Sequence, residues 1–413
     1  MSHGANLRRA MSDVAATTSR ANAREVLRTF LRLGCTAFGG PIAHLGYFRE
    51  HLVHRRRWLD EAAYADLVAL CQFLPGPTSS QVGIAIGLSR AGVLGGAAAW
   101  LGFTLPSALL MTGFALGLVA LGEVAGTGWV HGLKLAAVAV VARAVWGMAA
   151  TLCPDRWRAS LAVLAALVVT ALPDAPAQIA AIALSALAGL ALYRGEVPES
   201  QGGALNPYVT RSVGATALVV FAVLLAVLPA LALGGGPGTL AYADAFYRAG
   251  ALVFGGGHVV LPLLESFVVA PGWMPQDTFL AGYGAAQALP GPLFSIGAYL
   301  GAAMSAPPHG IAGAVVGLVA IFLPTFLLVV GVVPFWDALR RRRRVRAALT
   351  GVNAGVVGLL AAALYDPVWT SAVTGPVAFA VVLSAFLLLA AWRLNPVLVV
   401  GLCAAAGAAL PAL

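Results

Sequence analysis

Two stretches hold the groups best placed to do chemistry in this chain, Phe73-Leu74-Pro75-Gly76-Pro77 and Ala288-Leu289-Pro290-Gly291-Pro292. Each interrupts a long apolar run, and a Pro-Gly-Pro break cannot continue a helix because proline lacks an N–H and clashes with the preceding turn. Thr78, Ser79, Ser80 and Gln81 follow the first break, and Leu293, Phe294 and Ser295 follow the second. Hydroxyl residues just after a break read as N-caps. The N–H groups of a new helix, at the positive end of its dipole, attract anions. About 35 residues before each break stands a glycine pair, Gly39-Gly40 before Pro41 and Gly255-Gly256 before Gly257. These offer two further helix starts, one near Ile42–His44 and one near His258. Several helix starts meeting at one place would suit a small oxyanion, whose oxygens accept hydrogen bonds from several directions. The plainer alternative is a packing kink with capped ends. The candidate set is therefore Gly40, Pro41, Pro75, Gly76, Pro77, Thr78, Ser79 and Ser80, with Gly256, Pro290, Gly291, Pro292 and Ser295 in the second half.

Other polar side chains join this set with a structural reading beside the functional one. Gln72 and Gln287 precede the two breaks at matched positions, and each either pins the broken backbone or touches substrate. His44 and His258 follow the glycine pairs, as hydrogen-bonded structural histidines or as proton carriers. Lys134 either snorkels to the membrane interface or adds positive charge to an anion path. Arg143 lies near the middle of an apolar run, where a costly charge is expected to face the protein interior. Asp66 reads as the one acid inside the hairpin runs. Hydroxyls, amides, histidines and backbone N–H groups together favour an anion over a metal cation.

The elements that must position these groups are membrane helices. Of 413 residues, 60% are hydrophobic and 10% charged, against roughly 25% charged in a soluble protein. In hydrocarbon a broken helix must line a polar cavity or pack inside protein. The polar, arginine-bearing stretch Met1 to Arg24 has no apolar core before a cleavage site and reads as a cytosolic tail. A net charge of +9 sits in loops between apolar runs, as topology demands, so nucleic acid is not expected. The four cysteines, Cys35, Cys71, Cys153 and Cys403, lack metal-site or disulfide spacing. No cofactor is expected.

Six apolar runs occupy 24–193, one lies in the linker 194–241, and six occupy 242–413, after a tail at 1–23. The two sets repeat. Phe30–Pro41 (FLRLGCTAFGGP) matches Phe246–Gly257 (FYRAGALVFGGG), Trp58 matches Trp273, and Cys71–Pro77 matches Ala286–Pro292. Phe103–Leu110 (FTLPSALL) matches Ile321–Leu328 (IFLPTFLL), and Gly132–Lys134 matches Gly351–Asn353, at offsets of about 215 to 219. Basic loops alternate between the copies. Arg49 and Arg55–Arg57 precede Trp58, whereas Glu265 and Asp277 flank Trp273. Arg156 and Arg158 have no basic counterpart in Tyr365–Thr370. Arg340–Arg344 and Arg346 correspond to the Gly122–Gly132 loop, which has no Lys or Arg. Because cytoplasmic loops collect Lys and Arg, the copies are expected to be inverted, with Ser212–Leu233 as the crossing that inverts the second. The expected fold is an all-α polytopic membrane protein of two inverted-topology repeats with re-entrant or broken helices, joined by a linker transmembrane helix. Whether the first two runs of each repeat span or re-enter stays open. Length favours hairpins, since Glu61–Leu74 and Thr78–Ser89 end to end would exceed a ~30 Å hydrocarbon core.

The paired motifs FGGP and LPGP, recurring as FGGG and LPGP, resemble the chromate ion transporter family in its long, two-domain form, over about Phe30 to Leu413. That resemblance implies export of chromate from the cytoplasm, with sulfate as the related dianion; the expected location is the inner membrane, with the N-terminal tail on the cytoplasmic side. Its motif positions fall on Phe38, Gly39, Gly40, Pro41, Leu74, Pro75, Gly76 and Pro77. In the second half they fall on Phe254, Gly255, Gly256, Leu289, Pro290, Gly291 and Pro292. Gly257 departs from the pattern where the first copy has Pro41. No P-loop occurs, so ATP drive within the chain is not expected. The expected activity is secondary transport by alternating access, with an anion channel of the same fold or an oxyanion uptake carrier as alternatives. The expected partners are the oxyanion and the lipid bilayer, and the oligomeric state, a homodimer included, is left open.

Overall fold

The computed structural model describes residues 23–38, 40–121, 128–172, 175–193, 209–232, 238–254, 260–339 and 342–409. The first half comprises α1 (23–36), α2 (Gly40–Phe48, continued by a wider turn over Arg49–Arg55), α3 (Glu61–Phe73), α4 (Thr78–Leu121), α5 (Gly128–Leu152), α6 (Arg156–Ala171) and α7 (Ala175–Leu192). A linker helix, α8 (Arg211–Ala232), follows. The second half comprises α9 (Thr239–Ala251), α10 (Val260–Leu264, continued over Glu265–Val269), α11 (Gln276–Gln287) and α12 (Ile296–Ala302, entered through Leu293–Ser295). Next come α13 (Gly310–Val332), the short α14 (Trp336–Leu339), α15 (Arg343–Ala363, continued over Leu364–Trp369), α16 (Thr370–Ala372), α17 (Pro376–Ala390) and α18 (Pro396–Ala409).

Among the described residues, five helical stretches are long and apolar enough to cross a bilayer: Thr78–Leu118, Gly128–Leu152, Arg211–Ala232, Gly310–Phe335 and Arg343–Ala372. This is a polytopic, all-α membrane protein. Exposed leucines such as Leu109, Leu164, Leu187 and Leu383 cost nothing against lipid. The pieces that carry the breaks are short. At 1.5 Å per residue the 13 residues of α3 rise about 20 Å and the 12 of α11 about 18 Å, less than the ~30 Å of hydrocarbon. Within α4 the helix breaks again at Ala91-Gly92, where Gly92 has φ +59°. Pro106 in α4 and Pro324 in α13 sit at matched positions inside their helices.

The two halves do not pack as two bodies. In the first half α5 leaves its sequence neighbours and packs on α18 and α17, while α15 of the second half packs on α6 and α7. The seams are made of small residues, which let helix backbones meet in a medium that offers no hydrophobic drive. A Cβ on Gly132 would lie 2.1 Å from the Cys403 carbonyl oxygen, and one on Gly351 would lie 1.9 Å from that of Ser185. Gly132 corresponds to Gly351 in the repeat and Cys403 to Ser185, so one seam is built twice with the halves interchanged.

Candidate functional site

The two Pro-Gly-Pro breaks meet the opposite half of the chain. Leu74 leaves α3 in extended conformation, and Gly76 takes φ +124°, a region that side chains oppose. Gly76 N–H then donates to the Val253 carbonyl at 2.6 Å. In the second half Gly291 takes φ +91°, and its N–H donates to the Ala37 carbonyl at 3.0 Å. Gly76 and Gly291 are matched positions, and so are Ala37 and Val253. Each break is therefore bonded to the backbone just before the other half's Phe-Gly-Gly element.

Side chains obey the same exchange. A Cβ on Gly76 would lie 2.8 Å from Thr325 Oγ1 and from Gln81 Nε2, and one on Gly291 would lie 2.9 Å from Ser107 Oγ. Ser107 and Thr325 follow the matched Pro106 and Pro324. Gln81, fully buried, donates through Nε2 to the Pro75 carbonyl at 2.7 Å and holds the first break in shape. The ladder of α4 opens with Gln81 N–H on the Pro77 carbonyl, 3.0 Å, so the N–H groups of Thr78, Ser79 and Ser80 precede it.

Around these breaks several buried polar atoms have no partner among the described residues: His44 Nε2, Ser80 Oγ, Gln81 Oε1, Thr104 Oγ1, Gln287 Nε2 and Thr325 Oγ1. His44 is 1% exposed, stands edge-on to Phe103 at 5.3 Å, and has Nδ1 3.3 Å from Ser79 Oγ. The Phe103 carbonyl in turn abuts Gly291, so His44 and Ser79 of the first half neighbour the second break. Leaving a buried polar group unpaired costs about 1–3 kcal/mol. A cluster of hydroxyl, imidazole and amide groups kept in that state is suited to a hydrogen-bonding guest.

Not every sequence candidate lies there. Gln72 is exposed, so the matched glutamines are not a pair of buried amides; Gln287 is half-buried. Pro75 is half-buried, Pro77, Pro290 and Pro292 are buried, and Thr78 is half-buried. Ser295 donates through Oγ to the Pro292 carbonyl at 2.8 Å and closes its own break. Gly40 (φ +78°) and Pro41 open α2, while Gly256 and His258 lie outside the described residues. Lys134 is buried and bonds Asp277 Oδ1 of α11 at 2.8 Å, which ties the halves together at one end. Arg143 is exposed on the outer face of α5, three residues from Trp146, which is 73% exposed. The expectation that it faces the interior is corrected: α5 turns its buried face, Val130 to Val141, toward α11, α17 and α18.

Sequence reasoning missed Gln81, Thr104 and Thr325, although Thr325 sits in the recognised Pro-Thr match. It also missed Asp244, 3% exposed, whose carboxylate is bonded by Arg248 one turn on. Asp66 is thus not the one acid in the hairpin runs; the i,i+4 Asp–Arg spacing was the available signal.

Comparison with known proteins bears directly on the doubled architecture. The model for a family described as "Chromate transporter" matches twice, over residues 24–190 and 240–408. The chain belongs to the chromate transporter family. The family is one of transporters, so the chain is a transport protein and not an enzyme. A protein named chromate transport protein from Pseudomonas aeruginosa is 30% identical over 386 residues, 91% of this chain and 89% of that relative. One of the same name from Cupriavidus metallidurans is 28% identical over 397 residues, 94% and 92%. An uncharacterized transporter of Methanocaldococcus jannaschii is 25% identical over 344 residues, 83% of each chain. No solved structure matches.

Proposed function

We propose that this protein is a secondary transporter that exports chromate, or a related tetrahedral oxyanion such as sulfate, by alternating access between two inverted repeats. The observation that carries this reading is the reciprocal pair of bonds, Gly76 N–H to Val253 and Gly291 N–H to Ala37. Under the repeat correspondence one bond becomes the other, as a pseudo-twofold axis through the breaks requires. A site on such an axis can be approached from either face by equivalent elements, the geometry that inverted-repeat carriers use. The short helices α3 and α11 then enter from opposite sides as re-entrant arms, and α8 is the crossing that inverts the second copy.

Contacts among the loops support the inversion. Arg56 pairs with Glu25 of α1 at 2.8 Å and, like Arg90, lies over Trp58. The start of α8, at Gly214, abuts Gly331, Pro334 and Phe335 at the end of α13, next to the Arg342–Arg344 stretch. Gly189, four residues before the Tyr193 that Arg158 covers, abuts Ala347 and Gly351 early in α15. In this reading the basic loops of both halves lie at one end of the bundle, the cytoplasmic one by the positive-inside rule.

In this reading the oxyanion is held by donors: the N–H groups that open α4, the hydroxyls of Ser80, Thr104 and Thr325, His44 Nε2 and the Gln287 amide. A packing kink would need capped ends and nothing more. It leaves the partnerless hydroxyls unexplained. An inside-negative potential of 100 mV favours exit of a dianion by about 4.6 kcal/mol, twice the single-charge value. The test is uptake of labelled chromate, and separately sulfate, into everted membrane vesicles by a Ser80→Ala, Thr325→Val double variant. A hydrogen bond to a charged group is worth about 1.5–3 kcal/mol, so uptake should fall at least tenfold at equal expression. Undiminished uptake would remove the breaks as the binding site.

A further inference from the structure

A polar cavity lies away from the breaks. Its volume is about 40 Å³, and it is lined by Thr170 of α6, Gln178 of α7, Glu265 after α10 and Asp366 after α15, with Ala363 and Pro262 among its apolar walls. That space exceeds the 10–15 Å³ that one water requires. Glu265 is half-buried, and Asp366 sits at the exposed mouth. Gln178 is 3% exposed. Its Nε2 is 3.5 Å from the Pro262 carbonyl, and its Oε1 has no partner among the described residues. The polar lining is thus two carboxylates, the unpaired Gln178 amide oxygen and Thr170.

Helix ends add to this. The C-terminal turns of α6 and α15 line the cavity through Thr170 and Ala363, and helix C-termini carry negative partial charge that favours cations. The start of α7 contributes the opposite sign, but only a half-charge against two carboxylates. Among the described residues, no basic side chain lines the cavity, and the other charged groups on the elements packed around it are accounted for. Arg248 of α9 is bonded to Asp244, and Asp277 of α11 is bonded to Lys134. Arg143 of α5 is exposed, and the arginines of α6 and α15 lie at the opposite ends of those helices.

We propose that this cavity is a cation site, taking a sodium ion or a proton, and that its cation is the one coupled to oxyanion movement. The coupling clause rests on the transport reading above; the binding clause does not. Glu265 and Asp366 lie at the far end of α15 from Arg343, about 30 Å away along a helix of 21 residues. In the topology proposed above that is the external face, so the cation loads outside as the dianion leaves. The repeat-related position does not carry the same site. Glu265 falls against the Arg49-Glu50 pair of the first half, whose Glu50 is exposed and bonded to Arg55 at 2.9 Å, and Asp366 falls on Gly147 at the offset that pairs Gly132 with Gly351. An asymmetric site gives the otherwise symmetric carrier a direction.

The test uses the purified full chain. Its unfolding temperature is followed as sodium replaces choline at pH 8, and as pH falls from 8.5 to 5.5 without sodium, each with and without chromate. Wild type should gain stability saturably with sodium, with acid, or with both; the two series tell which cation is taken. Glu265→Gln and Asp366→Asn should weaken that response at least tenfold, and Gln178→Leu several-fold. All three should keep the chromate-induced shift, which also certifies their folding. In vesicles the same variants should lose the effect of an imposed cation gradient while retaining chromate exchange. A wild type indifferent to sodium and to acid, or variants with unaltered responses, would overturn the site. A cation response without any chromate shift would instead sink the oxyanion reading and leave the cation site standing.

Discussion

Gly76 and Gly291 can be tested to the level of single atoms. Replacing Gly76 by alanine forces a side chain into φ +124° and puts its Cβ 2.8 Å from both Thr325 Oγ1 and Gln81 Nε2. Backbone strain of this kind costs about 1–3 kcal/mol, and overpacking adds about 1–3 kcal/mol. A loss of about 2–6 kcal/mol follows, lowered by whatever the two flexible side chains yield. Gly291→Ala meets Ser107 Oγ at 2.9 Å but also the Phe103 backbone oxygen at 3.0 Å, which cannot swing aside, so its loss should lie in the upper half of that range. Gly272 isolates the strain: it has φ +77° with nothing near a Cβ, and Gly272→Ala should cost only about 1–2 kcal/mol. Gly46, helical with open space around it, should tolerate alanine or gain slightly. The assay is apparent unfolding temperature in one detergent, with vesicle chromate uptake in parallel. A second substitution sharpens it. Thr325→Ala should recover part of the Gly76→Ala loss, whereas Ser107→Ala should recover less of the Gly291→Ala loss, because the Phe103 carbonyl remains. If Gly76→Ala and Gly291→Ala are no worse than Gly272→Ala, the close packing of each break on the other half is wrong.

Two further outcomes follow from ion pairs outside the breaks. Lys134 is buried while its partner Asp277 is 71% exposed, so a double-mutant cycle of Lys134→Met and Asp277→Asn should give a coupling of about 1 kcal/mol. Asp277→Asn alone should leave chromate uptake within twofold; a tenfold loss would return Lys134 to the anion path. Asp155, in the loop before α6, accepts the Arg158 backbone N–H first of all, and also the Arg158 and Tyr193 side chains, which hold its pKa down at about 2. A carboxylate whose pKa is lowered by folding stabilises the fold above its unfolded value near 4, and that contribution fades as pH falls through 2. The advantage of wild type over Asp155→Asn should therefore be flat from pH 7 to 5 and shrink between pH 4 and 2, read by unfolding in a pH series. An advantage that grows on acidification would contradict the assignment.

The breaks were legible because proline's missing N–H is a local fact, and their pairing was legible because the motifs recur in order. What the breaks touch was not. Thr325 and Thr104 look like any hydroxyl in an apolar run, and only tertiary packing strips them of partners. Gln81 reads as one more residue of a capped start until its amide is seen holding the Pro75 carbonyl. Arg143 was misjudged because α5 is apolar nearly all round, so its pattern does not say which face is buried. The exchange of α5 and α15 between halves was invisible for a related reason: small residues recur on many faces of these helices, and which stripe meets which partner is decided only in the assembled bundle. The Glu265–Asp366 cavity joins residues about a hundred positions apart and absent from the other half, so the repeat comparison passed over it.

The exchange of helices has a consequence for biogenesis. α6 and α7 leave the ribosome complete by Leu192, but their main packing partner, α15, begins at Arg343, about 150 residues later. At about 5–20 residues per second the pair waits in the bilayer for roughly 8–30 s with its small-residue seam uncovered. A chain cut between the halves would strand α5 and α7 alike, each missing the helix that the other half supplies. A half-length protein built on this plan could satisfy both seams only by lending its helices to a second copy, so the two halves here are better described as a dimer fused into one chain than as two domains in a row.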